Sequence, residues 1–204
     1  MDTEILSATS PHALTKALNV LLSGGLVAFP TDTVYGVGAY AFDAAAVESI
    51  YAAKERPLEK AIPVLIADPE DLTKVAEEIP FLASRLIARF WPGPLTVLVP
   101  KKPTLPEVIF ATATVGVRVP DHDVARALLR LAGPMAVTSA NRSSQPSPST
   151  AQEVLAQLNG RIALIIDGGK TPGGIPSTLV DCTGTEIAIL RAGPISKERL
   201  LSAI

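Results

Sequence analysis

PHALTKALNVLLSGGLVAFPTDTVYGVG, residues 11–38, sets the pattern on which the rest of the chain is built. Leu14, Leu18, Leu21 and Leu22 recur at helical spacing, and Gly24-Gly25 supplies the stop that a helix C-terminus favours. LVAFP, residues 26–30, is a short apolar run of the kind a buried strand makes, and residues 31–38 read as a turn into a second strand. Working outward, Asp43 is placed to cap a helix over 44–54 with Ala45, Val47, Ile50 and Tyr51 on its apolar face. Further strands are expected at 62–67, 95–100, 115–119, 135–138, 162–167, 178–181 and 187–191. Further helices are expected at 68–75, 80–90, 121–131, 151–159 and 196–201. The second of these is closed by Trp91-Pro92-Gly93-Pro94, and the third turns Val124, Ala127, Leu128 and Leu131 inward. The Ser/Pro-rich run 143–149 must be a loop, and 168–176 a glycine-rich connection. Helices and strands interleave without a linker, composition break or internal repeat. The expectation is one three-layer α/β domain over 1–204, built on a twisted sheet of mixed parallel and antiparallel strands.

With 204 residues the chain can bury one large core. Hydrophobic residues make up 48%, with mean hydropathy +0.33, yet no apolar run approaches the length of a bilayer span. The N-terminus shows no basic-then-apolar signal pattern, so a cytoplasmic address and no membrane contact are expected. A single cysteine, Cys182, excludes an internal disulfide and a Cys-based zinc site, and two histidines leave little for a His-rich one. Net charge of −2 argues against a general nucleic-acid surface but leaves room for a local basic cleft.

Lys54-x-Arg56 and Ser139-x-Asn141 carry the strongest chemical signal. On a strand or loop edge, Lys54 and Arg56 can point the same way and together offer two fixed cations suited to a polyphosphate. The helix dipole alone would also favour cations after residue 54, and Lys60 extends the group onto a non-helical segment. Ser139 and Asn141 supply short polar donors beside a turn. Arg118, in the middle of an apolar strand, needs an anion: a ligand's carboxylate or one of the chain's own acids. Gly168-Gly169 and Gly173-Gly174 suit a tight loop or a phosphate cradle. The hydroxyls of Ser177 and Thr178 satisfy neighbouring backbone or face a ligand. Asp32 reads best as a turn former, Phe90, Trp91 and Tyr51 as packing residues, and His122 as a surface residue without a role. Arg126 and Arg130 read as solvated helix faces. No Ser–His–Asp arrangement and no metal-ligand cluster is present, so no protein metal ligand is assigned. Chemistry in which the substrates bring nucleophile and leaving group, and the protein positions them, fits this inventory.

PTDTVYG (30–36), KERP (54–57), WPGPLT (91–96), GVRVP (116–120), TSAN (138–141), PSTLVD (176–181) and ILRAG (189–193) occur in this order. Together they resemble the threonylcarbamoyl-adenylate synthase family, the YrdC-like proteins, in its short single-domain form. The resemblance implies a nucleotidyltransferase that joins L-threonine, bicarbonate or CO2 and ATP into L-threonylcarbamoyl-AMP and pyrophosphate, with Mg2+ accompanying ATP. Separate partner proteins then transfer the threonylcarbamoyl group to an adenosine beside the tRNA anticodon. Weak direct contact with tRNA is compatible with this. Carried over residue by residue, it implies Thr33, Tyr35, Arg118, Thr138 and Ser177 for threonine. It implies Lys54, Arg56, Lys60, Thr114, Ser139, Ala140, Asn141, Ser147 and Arg191 for ATP, Ala140 through its backbone alone. Lys54, Arg56, Ser139 and Asn141 form the catalytic tetrad. The chain departs from the family's longer members at Leu65, where they carry a His that touches threonine, and at Ser143-Ser144, where SerGly is usual. Two rivals are a carbamoyl-transferring paralogue of the same fold and an RNA-binding module, the latter marked by steep salt dependence.

Overall fold

In the computed structural model, which describes residues 2–109, 112–172 and 174–204, the first helix is α1 (Ala13–Leu22). It buries Ala13, Ala17 and Leu21, four residues apart, while Leu22 is 76% exposed. Small alanines let the helix lie close to its neighbours, so the leucine stripe is displaced to the flank. α2 (Ala44–Lys54) is capped as expected, with Asp43 Oδ1 accepting from the Ala46 amide at 3.0 Å. Ala46, Val47, Ile50 and Tyr51 form its buried face, and Ala45 is exposed. α4 (Asp123–Ala132) turns Ala125, Leu128 and Leu129 inward rather than Leu131, which is 53% exposed. ARALLRL allows either stripe by its spacing alone, and packing decides between them. The other helices are α3 (Phe81–Phe90), α5 (Ala151–Leu158) and α6 (Lys197–Leu201), and 69–74 forms a 3-10 segment where an α-helix was expected.

Among the described residues ten strands form one sheet: β1 (Glu4–Ser7), β2 (Val27–Phe29), β3 (Gly36–Tyr40), β4 (Val64–Leu65), β5 (Leu95–Pro100), β6 (Thr114–Arg118), β7 (Met135–Ser139), β8 (Leu164–Asp167), β9 (Thr178–Asp181) and β10 (Ala188–Arg191). Their order is β1-β8-β2-β3-β7-β4-β6-β5-β9-β10. The β1–β8, β8–β2, β4–β6 and β5–β9 pairs are parallel and the others antiparallel, giving the mixed sheet expected. β1 had no counterpart in the sequence reading: EILS is short, half-exposed and finds its partner only across the chain in β8. β4 pairs over two residues only.

The pleat sorts alternate residues onto two faces. Ala28, Val64, Ala136 and Ile165 face a core shared with α2, α3, α5 and α6. Val27, Phe29, Leu65, Met135, Val137, Leu164 and Ile166 face a second core shared with α1 and α4. Three layers result. The second face has no such core over β5, β6 and β9. Their inward residues Leu95, Val97, Val99, Val115, Val117 and Val180 join the first core, and nothing from these strands joins the second. That uncovered half-face is where the site lies. No helix among the described residues is long and apolar enough to cross a membrane.

Candidate functional site

On the uncovered half-face β5 presents Thr96 and Leu98, β6 presents Gly116 and Arg118, and β9 presents Leu179. With Leu65 and Val137 they floor a cleft of about 220 Å3. Gly116 keeps the floor open: a Cβ there would stand 3.2 Å from Thr96 Cγ2 and 3.5 Å from Pro63 Cβ. Thr31 and Thr33, from the turn between β2 and β3, wall one side, and Thr138 and Ser139 at the end of β7 another. Arg56, Ser177 and Arg191 also line it.

The hydroxyls build local order before any ligand arrives. Thr31 Oγ1 accepts from the Thr33 and Val34 amides at 3.2 and 3.3 Å and donates to Val34 O at 2.7 Å, which fixes the turn. Asp32 is therefore in a turn, as its neighbours suggested, but it is also the anion that Arg118 required. Arg118 is 6% exposed; its Nε donates to Gly93 O and its Nη1 to Thr33 Oγ1, both at 3.0 Å, while Nη2 meets the Asp32 carboxylate. Burial lowers the Arg118 pKa and the Asp32 charge opposes that shift. Across the cleft, Arg191 Nε donates to Ser177 O at 3.0 Å and Nη2 to Ser177 Oγ at 3.1 Å. Ser177 Oγ lies 2.7 Å from Thr96 Oγ1. Arg56 Nε and Nη2 donate to the carbonyls of Lys60 and Ala61 at 3.1 and 2.8 Å. Among the described residues neither Arg56 nor Arg191 has a carboxylate partner, and burial lowers the pKa of both; Arg191 also disfavours the Arg56 charge. A guanidinium stays charged all the same, so the two focus a positive field into the cleft.

Of the residues named from sequence, Thr33, Arg56, Arg118, Thr138, Ser139, Ser177 and Arg191 come together in this lining. Tyr35 does not. It is fully buried behind the turn, donating to Gly169 O at 2.7 Å and Asp167 Oδ1 at 3.3 Å, and burial pushes its pKa up to about 12. The Gly168 amide donates to Tyr35 Oη at 3.2 Å and the Gly169 amide to Asp167 Oδ1 at 2.9 Å, so this loop is no open phosphate cradle. Gly173 lies outside the described residues. The Ala140 amide is engaged by Tyr35 O at 2.8 Å. Lys54 does not share partners with Arg56: it ends α2, Glu55 follows with φ 53°, and Lys54 Nζ reaches the carbonyls of Ser139 and Asn141 while Arg56 reaches those of Lys60 and Ala61. Asn141 donates through Nδ2 to the carbonyls of Arg142 and Gln145 at 2.7 and 2.8 Å, and its buried Oδ1 has no partner among the described residues. Lys60 is exposed, Ser147 is half-buried, and Thr114 Oγ1 sits 3.1 Å from Thr112 Oγ1. His122 is half-buried rather than a surface residue, its pKa lowered by burial against the pull of Asp32, Asp123 and Asp121. Thr96, 2% exposed, was missed; its only signal was a polar residue at an alternate position of an apolar strand.

The profile of the Sua5/YciO/YrdC family, described as telomere recombination, matches residues 19–193. The chain belongs to the Sua5/YciO/YrdC family. It is 43% identical over 205 residues to the threonylcarbamoyl-AMP synthase of Bacillus subtilis, covering 99% of this chain and 59% of that protein. It is 38% identical over 207 residues to a putative threonylcarbamoyl-AMP synthase of Mycobacterium tuberculosis, covering 99% and 95%. The structure of the family member Sua5 from Pyrococcus abyssi, complexed with L-threonine, superposes with a TM-score of 0.91 at 44% identity over 94% of this chain and 57% of that one. The chain thus spans less than two thirds of the Bacillus and Pyrococcus relatives.

Proposed function

We propose that this chain makes L-threonylcarbamoyl-AMP. A carbamate formed from L-threonine and bicarbonate or CO2 attacks the α-phosphorus of ATP; the new O–P bond forms as the bond to the bridging oxygen breaks, and pyrophosphate carries off the charge. The observation that carries the reading is one cleft holding Arg56 and Arg191, cations without carboxylate partners among the described residues, beside the hydroxyls of Thr33, Thr138 and Ser177. Negative charge grows on the phosphates in the transition state, and fixed guanidiniums stabilise it without reorganising. Arg118 meets the amino acid's carboxylate by sharing its fork with Asp32, and holds Thr33 in place. Ser139 contacts the reacting end. The family resemblance, rather than a contact in the structure, assigns Lys60, Thr114, Ala140, Asn141 and Ser147 to the nucleotide.

Mg2+ would arrive on ATP. Among the described residues no group of three or more His, Cys, Asp or Glu side chains could hold an ion. A small hard cation is ordinarily bound through substrate phosphates and water, where it neutralises part of their charge. The product goes to separate threonylcarbamoyl-transferring proteins of tRNA modification, and the cytoplasm is the compartment proposed.

The test is pyrophosphate release from ATP in bicarbonate buffer with Mg2+. Release that needs both L-threonine and bicarbonate, and is absent with serine or alanine, is the expected result. No threonine-dependent release sinks the reading, and release with carbamoyl phosphate instead would identify a carbamoyl-transferring paralogue.

A further inference from the structure

Lys54 places an amine at the end of α2, yet it is 1% exposed and is absent from the cleft lining that includes Arg56. Its Nζ donates to the backbone carbonyls of Ser139 and Asn141. The tie runs both ways, because the Ser143 amide donates to Lys54 O at 2.8 Å. Its neighbours reinforce it. The Glu55 carboxylate pairs with Arg142 and Arg161, and Arg161 Nη1 donates to Ala53 O at 3.3 Å. Ala53, Lys54 and Glu55 thus anchor segment 139–143 and Arg161 to the helix end. Enclosed carbonyls need donors and an enclosed amine needs acceptors, so each completes the other. Burial, and secondarily the Arg56 charge, bring the Lys54 pKa down to about 7, the direction expected of a buried amine.

We infer that Lys54 is a positioning residue: it serves the reaction through the Ser139–Asn141 turn that it pins, and does not itself touch the nucleotide. The two members of Lys54-x-Arg56 therefore divide the work, Arg56 in front of the wall and Lys54 behind it. Ser139, which lines the cleft, is held through its carbonyl by Lys54.

The catalytic part of this inference rests on the proposed synthase reading; the structural part does not. Three quantities are measured on wild type, Lys54→Met and Arg56→Met: amide hydrogen exchange without ligands, binding of inorganic pyrophosphate, and kcat for threonine-dependent pyrophosphate release. In Lys54→Met the amides of 140–145 are expected to exchange at least about tenfold faster, with those of Arg56→Met unchanged. Pyrophosphate binding is expected to weaken about tenfold in Arg56→Met and less than about threefold in Lys54→Met. The kcat is expected to fall in both, and Lys54→Arg, which keeps a cation and its donors, should recover part of it. Unchanged exchange in Lys54→Met, with pyrophosphate binding lost as in Arg56→Met, would make Lys54 a phosphate ligand and overturn the inference. If Lys54→Met does not fold, Lys54→Arg takes its place in the exchange and binding measurements: faster exchange with pyrophosphate binding kept supports the inference, and the reverse pattern overturns it. A wild type without threonine-dependent release would sink the synthase reading, while exchange and pyrophosphate binding still decide the role of Lys54.

Discussion

Arg56 and Arg191 reach the cleft by the same device: backbone carbonyls hold part of each guanidinium fork and no described carboxylate neutralises it. Arg56→Ala should lower turnover at least roughly tenfold, equivalent to ~1.4 kcal/mol of transition-state stabilisation, and near-normal turnover would remove Arg56 from the mechanism. Thr96 acts at one remove, through Ser177, on Arg191. Thr96→Val keeps the shape and deletes the hydroxyl; a loss of ~0.5–1.5 kcal/mol in kcat/KM is expected, largely restored in Thr96→Ser. Ser144 has φ 67°, a left-handed conformation that an L side chain adopts only with strain. Ser144→Val adds a β-branched side chain there and should destabilise the fold by about 1–2 kcal/mol in thermal unfolding. A charged group interrupting an apolar strand was legible, as at Arg118, whereas the hydroxyl of Thr96 in the same kind of setting was not. Directions were not: no spacing rule reveals that Glu55 turns left-handed, or that Lys54 and Arg56 hold different carbonyls.

Between elements, Asp68 shows how charge fixes a helix. Its carboxylate receives Arg130 Nε and Nη2, both at 2.9 Å, and also pairs with Arg126, whose Nε donates to Ala67 O at 3.0 Å. Arg126 and Arg130, read as solvated helix faces, therefore also bind α4 to the chain leaving β4, Arg130 from an exposed position and Arg126 from a half-buried one. These hydrogen bonds hold the Asp68 carboxyl at about 2, below its ordinary 3.8. A carboxyl with a lowered folded-state pKa adds stability that is present above 3.8 and lost as pH falls towards 2. Asp68→Asn should therefore unfold at lower temperature than wild type near neutral pH, and the gap should close on acidification across that interval; a gap independent of pH would rule the ion pairs out. The expected element types held for the longer apolar segments. β1 escaped because a short, half-exposed strand is defined by its partner, and the α4 face because its leucines permit two stripes.

For the whole molecule, the sequence supplied the ingredients of the site but not the reason they meet: α1 and α4 cover one part of a sheet face and leave another bare. Three of the chain's 18 Lys and Arg side chains, Arg56, Arg118 and Arg191, line the cleft of a protein whose net charge is −2. Turnover at saturating substrate should change less than about threefold between ~50 and ~200 mM salt, whereas grip on a nucleic-acid backbone would fall by orders of magnitude. The bare half-face also limits how such a site can be remodelled. In β5 and β6 every side chain that lines the cleft is flanked by residues that build the core, Thr96 by Leu95 and Val97, Arg118 by Val117 and Val119. Inserting or deleting one residue in either strand would turn the surface inside out, sending valines to the solvent and an arginine into oil. New specificities in this scaffold must therefore arise by exchanging side chains in place, or by lengthening the loops at 55–62 and 141–150, where no such inversion follows.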